Sequence, residues 1–191
     1  NFNRQVGVSQ RQKTTEKSRY KKVVYHEEKI ESFFIDTFLD SQKEIPEQII
    51  LDLDATDDPL HGNQEGRFFH GYYGCYCYLP LYIFCGKHLL CAKLRPSGID
   101  ASQGSKEEVE RIVRHIRKEW PKVRIVLRAD SGFARDELMS WCETNSVDYV
   151  FGLAKNARLK EIIESEQEEA QEGYEQTKQA FRVYKDFIYR T

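Results

Sequence analysis

The sequence lacks the features that mark zinc-ribbon, membrane-spanning and secreted proteins. None of its five cysteines belongs to a Cys-x-x-Cys pair, so no zinc site is predicted and the thiols are expected to be buried and free. No apolar run reaches the roughly 18 residues of a membrane span, and no signal peptide is visible. These absences favour a cytoplasmic globular protein that does not contact a membrane.

The chain also lacks an overall excess of charge, since its net charge is only −2 over 191 residues. The charge is nevertheless unevenly distributed, with a basic segment at residues 1–26 and a Glu-rich segment at residues 161–175. The first is predicted to be a linker or arm that either meets a phosphate backbone or is merely solvated. The chain begins without Met and stops inside a strand-like run, so it is expected to be part of a longer protein.

Hydrophobic periodicity and turn residues predict alternating helices and strands after residue 26. A Ser105-x-x-Glu108 capping box is predicted to open the helix that Pro121 ends. The predicted elements are a helix over 27–43, a strand over 48–55, a hairpin with arms at 76–84 and 88–94, a helix over 105–120, a strand over 123–129, a helix over 134–145, a strand over 148–153, an acidic helix over 157–172 and a strand over 180–189.

This order of elements predicts an α/β fold with a mixed five-stranded sheet flanked by helices. The ribonuclease H fold has the same order. In that fold the first strand lies between the hairpin and the fourth strand. We therefore assign residues 27–156 to a ribonuclease H-like core, which an acidic helix and a strand-like run follow.

Two aspartates, Asp54 and Asp130, stand at the ends of two predicted strands that this fold makes neighbours. An unpaired buried charge is costly, so acids at strand ends suggest a shared cation such as Mg²⁺. Asp52 lies on the same strand face as Asp54 and either supports it or is solvated. Ordinary capping roles, a turn cap at Asp54 and a helix N-cap at Asp130, remain the alternatives.

The motif Asp52-x-Asp54-x-Thr56 also matches the nucleophile motif of haloacid-dehalogenase-type phosphatases. In that reading Asp52 attacks phosphate and Asp54 acts as the acid or base. That fold needs a helix after the strand and a later Asp-Asp metal pair. The sequence has a long aromatic hairpin and no such later pair, so this is the lesser alternative.

Basic and aromatic residues near these acids are candidates for contacts with DNA. Arg128 shares the strand face of Asp130, while Lys155 and Arg158 follow the predicted strand over 148–153. They could contact DNA phosphates or pair with acidic side chains. The Tyr and Phe residues of segment 68–84 could stack on bases, but core packing is their expected role.

Several motifs together resemble bacterial insertion-sequence transposases with a group-one DDE transposase domain. The resemblance extends over about residues 45–160, through segments 51–62, 68–73, 79–82, 128–133 and 148–156. It implies a catalytic core with two Asp and one Glu, in which Asp54 is the first Asp and Asp130 the second. The Tyr-x-x-Arg-x-x-x-Glu pattern that carries the family's Glu is absent. The resemblance implies that residues 157–191 contain an acidic helix and the start of a β-rich insertion.

The resemblance further implies a DNA transposase that cleaves phosphodiesters and transfers strands at insertion-sequence ends. Mg²⁺ is the implied cofactor, with Mn²⁺ as a substitute, held by Asp54 and Asp130. Terminal inverted repeats and target DNA are the implied partners, bound by a homodimer or larger assembly in the bacterial cytoplasm, at the nucleoid. Without its third acid this chain is expected to be inactive. A non-catalytic remnant with residual DNA binding is the alternative.

Overall fold

The computed structural model describes Val24 and residues 26–189, so almost all of the predicted basic arm lies outside the described residues. The chain divides into two compact units, residues 1–152 and residues 153–191. The helices are α1 (Glu27–Asp40), α2 (Ser105–Glu119), α3 (Asp136–Thr144), α4 (Ala157–Ile162) and α5 (Glu164–Thr177). The strands are β1 (Gln48–Ala55), β2 (Asp58–Pro59), β3 (Phe68–His70), β4 (Cys75–Tyr78), β5 (Leu81–Cys85), β6 (His88–Lys93), β7 (Arg124–Ala129) and β8 (Asp148–Phe151).

The first unit contains a five-stranded sheet with the order β6-β5-β1-β7-β8. β1 pairs antiparallel with β5 and parallel with β7, β5 pairs antiparallel with β6, and β7 pairs parallel with β8. A hairpin followed by two parallel strands on the other side of β1 is the arrangement of the ribonuclease H-like fold. The predicted fold class is therefore confirmed.

One face of this sheet carries the core. Ile49, Leu51 and Leu53 of β1 are buried because alternate residues of a strand point to the same side. They join a single apolar cluster with side chains from α1, α2 and α3. The intervening residues, Ile50, Asp52 and Asp54, therefore point to the opposite face, where Ile50 and Asp54 are exposed.

A second, three-stranded sheet with the order β2-β4-β3 precedes β5. The predicted hairpin arm 76–84 is therefore not one strand: β4 ends at Tyr78 and β5 begins at Leu81. Pro80 lies between them and has no N–H to donate to a ladder, which explains the break. The other predicted arm, 88–94, is confirmed as β6.

The predicted capping box at the start of α2 is wrong. Gly104 is the N-cap, in the left-handed conformation, and no side chain caps the helix. Glu108 is instead buried and accepts hydrogen bonds from Lys93 and Arg111, at 2.6 and 3.0 Å. Burial raises the pKa of Glu108, but these two cations outweigh burial and lower it. Tertiary ion pairing has thus replaced the local cap.

The second unit consists of α4, α5 and a following segment. The Asn156 side chain caps α4 by accepting a hydrogen bond from the Leu159 N–H, and the predicted acidic helix is divided at Ile163. The strand predicted over 180–189 is wrong, because residues 178–189 form no strand. The segment is held by side chains instead, for example by the Lys185 ammonium on Glu166. Among the described residues, no helix is both long and apolar enough to cross a bilayer.

Candidate active site

Asp54 lies near the end of β1, and Asp130 directly follows β7, the parallel neighbour of β1. The register of β1 and β7 pairs Ile50 with Val126 and Asp52 with Arg128. The same register, continued by two residues, aligns Asp54 with Asp130. Neighbouring strands lie roughly 4.8 Å apart, so the two carboxylates share one edge of the sheet. This is the juxtaposition that the sequence predicted.

Asp130 also has the capping role that was weighed against a catalytic one. Its Oδ1 accepts a hydrogen bond of 2.8 Å from the Gly132 N–H, at the start of the 3-10 helix Ser131–Phe133. A carboxylate has two oxygens with about four acceptor positions. The cap therefore fixes the orientation of Asp130 and leaves acceptor capacity for a ligand.

Two glycines pack closely against Asp130. A Cβ on Gly132 would lie 2.9 Å from the Asp130 Oδ1, which is too close for real atoms. A Cβ on Gly152, just after β8, would lie 3.1 Å from the Ser131 nitrogen and 3.4 Å from the Asp130 carbonyl carbon. Side chains at these positions would displace the acid. The Asp-Ser-Gly sequence was the signal for the first of these contacts.

Asp52 and Arg128 form an ion pair on the same face of the sheet as Asp54. The Arg128 Nε and Nη2 donate to the two Asp52 carboxylate oxygens, at 2.5 and 2.9 Å. The carboxylate raises the pKa of the Arg128 guanidinium. The proposed supporting role of Asp52 and the DNA contact of Arg128 stay predictions. In the structure, the Asp52 carboxylate and the Arg128 guanidinium pair with each other.

The other two basic candidates belong to the second unit. Lys155 and Arg158 are both exposed, and the Arg158 guanidinium lies 5.1 Å from the centre of the Tyr189 ring. Nothing in the described contacts assigns them to a nucleic acid, so their predicted role stays a prediction.

Tyr82 and Tyr73 are neighbours of the acids that the sequence did not single out. Tyr82 of β5 is the cross-strand partner of Asp54. Burial raises the pKa of Tyr73, and the negative charges of Asp57 and Asp54 raise it further. The dense run of Tyr and Phe before β5 was the available signal, but its expected role in the core concealed it.

A buried arginine organises the loop beside Asp130. The Arg95 Nε donates to the Leu79 carbonyl, and its Nη1 donates to the Ala101 and Gln103 carbonyls at 3.0 and 2.6 Å. At the surface of the same loop, Asp100 accepts a hydrogen bond of 2.8 Å from Arg135. The 96–104 loop is therefore tied both to the start of β5 and to the segment that follows Asp130.

The chemistry of Asp54 and Asp130 fits a hard divalent cation. Mg²⁺ prefers oxygen ligands and is commonly bound by one or two carboxylates together with substrate phosphates and water. The described residues contain no group of three or more His, Cys, Asp or Glu side chains that could hold a metal. The predicted metal-binding role of Asp54 and Asp130 stays a prediction.

The strand order defines a ribonuclease H-like domain. Within this class, the family model "Transposase DDE domain group 1" matches residues 5–191, and the chain belongs to that family. The family predicted from the sequence is confirmed: this is an enzyme family of DNA transposition. A search of curated proteins gave no match.

Several solved transposases are similar to the chain at low sequence identity. The piggyBac transposase in a synaptic complex with hairpin DNA is 10% identical, with a TM-score of 0.42 over 60% of this chain and 25% of that one. The catalytic domain of Mos1 mariner transposase is 12% identical, with a TM-score of 0.38 over 86% and 79%. A Mos1 paired-end complex with Mn is 13% identical, with a TM-score of 0.39 over 96% and 58%. The chain thus spans a quarter of the piggyBac protein and just over half of the Mos1 chain in its paired-end complex.

Proposed function

We propose that this domain serves a DNA transposase that cleaves phosphodiester bonds at the ends of a mobile element and joins them to target DNA. The alignment of Asp54 with Asp130 across β1 and β7 is the observation that carries the proposal. In cleavage, water attacks the scissile phosphorus and the 3′ oxygen leaves. In strand transfer, the freed 3′-hydroxyl attacks a phosphodiester of the target.

In this chemistry, the role of the protein is to position charged groups. Phosphoryl transfer needs little covalent help from a protein, because correct placement and charge stabilisation supply most of the rate. A bound divalent cation, Mg²⁺ or Mn²⁺, stabilises charge on the reacting phosphate oxygens. Asp54 and Asp130 would hold this cation. The parallel ladder fixes the distance between them, and the Gly132 N–H fixes the orientation of Asp130.

The proposal includes a third acid that the described residues do not supply. With two carboxylates, the 191-residue chain should bind a divalent cation weakly and should not cut DNA. We propose that the active protein brings a Glu from another segment, acts as a dimer or larger assembly on paired inverted repeats, and works in the cytoplasm at the nucleoid.

A titration of the chain with Mn²⁺, followed by electron paramagnetic resonance, tests the assignment of the acids. We expect Asp54→Asn and Asp130→Asn each to weaken binding by at least roughly tenfold, since each removes a ligand. Asn still caps helices well, so Asp130→Asn should keep the 3-10 helix intact. Asp40→Asn at the end of α1 is the matched control and should bind Mn²⁺ as the parent does. Unchanged binding by either active-site variant would refute the site.

In a longer protein that carries the third acid, the same substitutions should abolish cleavage of the element's ends. DNA binding should persist, because neither aspartate is a source of positive charge. A gel assay with labelled end DNA separates the two activities. If a longer protein with both aspartates intact binds the end DNA but does not cleave it, that result would instead favour the alternative of a non-catalytic remnant.

The phosphatase alternative is not supported by the structure. The strand that carries Asp52 has an antiparallel neighbour, β5, and is followed by a small sheet rather than a helix. Asp52 is moreover engaged by Arg128 through both carboxylate oxygens, so it is not free to attack phosphate. Hydrolysis of a generic phosphate ester that Asp52→Asn abolishes would restore that reading.

A further inference from the structure

Arg67, Phe69 and Tyr76 lie on and beside the three-stranded sheet and contact one another, and Tyr72 lies on the turn between β3 and β4; we call these four exposed side chains the aromatic surface. Phe69 is 49% exposed, Tyr76 47% and Tyr72 88%. The sequence predicted core packing for this segment, and for these rings that prediction is wrong. Large aromatic rings that stay exposed to water and do not pack in the core indicate a binding surface.

The rings of the aromatic surface are ordered relative to one another. Phe69 and Tyr76 are direct cross-strand partners on β3 and β4, and their ring centres lie 5.5 Å apart in an edge-to-face arrangement. The Arg67 guanidinium lies 4.6 Å from the centre of the Tyr76 ring, within the range of a cation–π contact. Tyr72 projects from the turn that joins the two strands.

The backbone beneath the aromatic surface is fixed by side-chain hydrogen bonds. The Tyr78 hydroxyl donates to the Glu65 carbonyl at 2.6 Å, and the Arg67 Nη1 donates to the Gly62 carbonyl at 2.7 Å. The Ser97 hydroxyl donates to the Phe68 carbonyl at 3.0 Å. The exposed rings therefore stand on a preorganised support, which lowers the entropy lost when a ligand orders them.

The aromatic surface is continuous with the candidate active site along the chain. β4, which carries Tyr76, is joined by Leu79 and Pro80 to β5, whose Tyr82 is the cross-strand partner of Asp54. A DNA strand that reaches Asp54 would thus meet the strand that leads back to Tyr76.

The charge of the surface also fits a nucleic acid strand. Among the described residues, no carboxylate pairs with Arg67, and its stacked guanidinium keeps further N–H donors at its edge. Bases in a duplex offer only their edges to a protein, whereas unpaired bases offer their faces to aromatic rings. The exposed rings suit the faces of unpaired bases, and the Arg67 guanidinium, which no described carboxylate pairs with, suits the phosphates that link them.

We propose that the aromatic surface stacks unpaired bases of the DNA strand whose phosphodiester lies at Asp54 and Asp130. The proposal rests on the proposed function for its substrate. It adds to that function a site that separates or holds open the DNA strands next to the cut. This site contacts the faces of the bases and does not recognise their sequence.

Fluorescence of 2-aminopurine tests this surface in the absence of divalent cations, with the full chain. The probe base is placed in a single-stranded 3′ overhang, and a fully paired duplex of the same sequence serves as the comparison. Stacking quenches the probe, so we expect quenching with the overhang and none with the duplex. Tyr72→Ala and Phe69→Ala should each weaken binding of the overhang by roughly 5- to 150-fold.

Tyr184→Ala is the matched control, because Tyr184 is 84% exposed and lies in the other unit. It should leave quenching unchanged. Tyr72→Ala, at a fully solvated turn position, is safe for folding even where Phe69→Ala is not. Equal quenching of duplex and overhang, equal loss in the Tyr184→Ala variant, or a dimer in solution that Tyr72→Ala dissociates would overturn the proposal.

The same samples distinguish failure of this proposal from failure of the proposed function. Asp54→Asn should leave the metal-free quenching intact while it weakens Mn²⁺ binding. Lost quenching with normal Mn²⁺ behaviour would remove only the stacking surface. Normal Mn²⁺ binding by Asp54→Asn with intact quenching would remove the catalytic assignment and leave the base-binding surface.

Discussion

Arg128 binds Asp52 through two hydrogen bonds across β7 and β1, two residues before Asp130 and Asp54. A positive charge thus stands on the sheet face that carries Asp54, where a divalent cation is expected. Arg128 pairs with the Asp52 carboxylate, which would otherwise add to the negative potential at this face. The pair therefore limits how strongly this face attracts a cation in the absence of DNA.

Replacing Arg128 should strengthen cation binding. Arg128→Ala removes one positive charge and frees the Asp52 carboxylate, so we expect Mn²⁺ affinity to rise by roughly three- to tenfold at low salt. The free energy of unfolding should change little, since the pair is exposed to solvent. Mn²⁺ titration and urea unfolding measure the two effects.

Arg124→Ala is the control for that variant, because Arg124 lies on the same strand and pairs with Asp148 at 2.6 Å. It should alter Mn²⁺ affinity much less. Equal increases in both variants would mean that net charge, rather than the Asp52 pair, governs the site.

A methyl group at position 132 should weaken the metal site without removing any acid. The added Cβ of Gly132→Ala would lie 2.9 Å from the Asp130 Oδ1, so the carboxylate has to move. We expect Mn²⁺ affinity to fall by roughly tenfold, as it does when the orientation of a ligand is lost. Gly71→Ala, where a Cβ meets nothing within 4 Å, should bind as the parent does. Tight binding by Gly132→Ala would show that the cap does not orient Asp130 for metal.

The bond between Asp100 and Arg135 should make part of the stability depend on acidity. Arg135 and Ser102 lower the pKa of Asp100 from 3.8 to about 2. A carboxyl whose folded pKa lies below its unfolded pKa stabilises the fold at pH values above 3.8. That contribution is lost as the pH falls from 3.8 towards 2.

Asp100→Asn should therefore lower the free energy of unfolding near pH 6 by about 1 kcal/mol at most, since the pair is half exposed. The difference from the parent should shrink when urea unfolding is repeated at pH 4 and then pH 3. A difference that stays constant over this range would show that the charge of Asp100 contributes nothing.

The presence of Asp54 and Asp130 at one edge of the sheet could be predicted from the sequence, because strand order and the position of each acid at a strand end suffice for it. Both acids follow an apolar run, and the fold makes those two runs neighbours. The partner of Asp52 could not be predicted in the same way. A shift of one residue in the β1–β7 register would turn Arg128 to the other face, and local sequence does not set that register.

Other misses have one common cause, which is that tertiary contacts override local signals. Glu108 had the spacing of a capping residue, but Lys93 and Arg111 offered it a buried ion pair. Segment 180–189 had the composition of a strand, yet none of the described strands pairs with it. The exposed rings near Tyr72 were predicted to lie in the core, because aromatic and other apolar residues are usually buried.

The parallel pairing of β1 with β7 also determines when the acids can meet during folding. Asp52 and Arg128 are 76 positions apart, as are Asp54 and Asp130. Closing a loop of this length costs chain entropy before the ladder repays it, and such non-local pairing forms late. A chain still on the ribosome carries Asp54 long before Asp130 has been made. Throughout synthesis of the hairpin and α2, the first acid therefore exists alone.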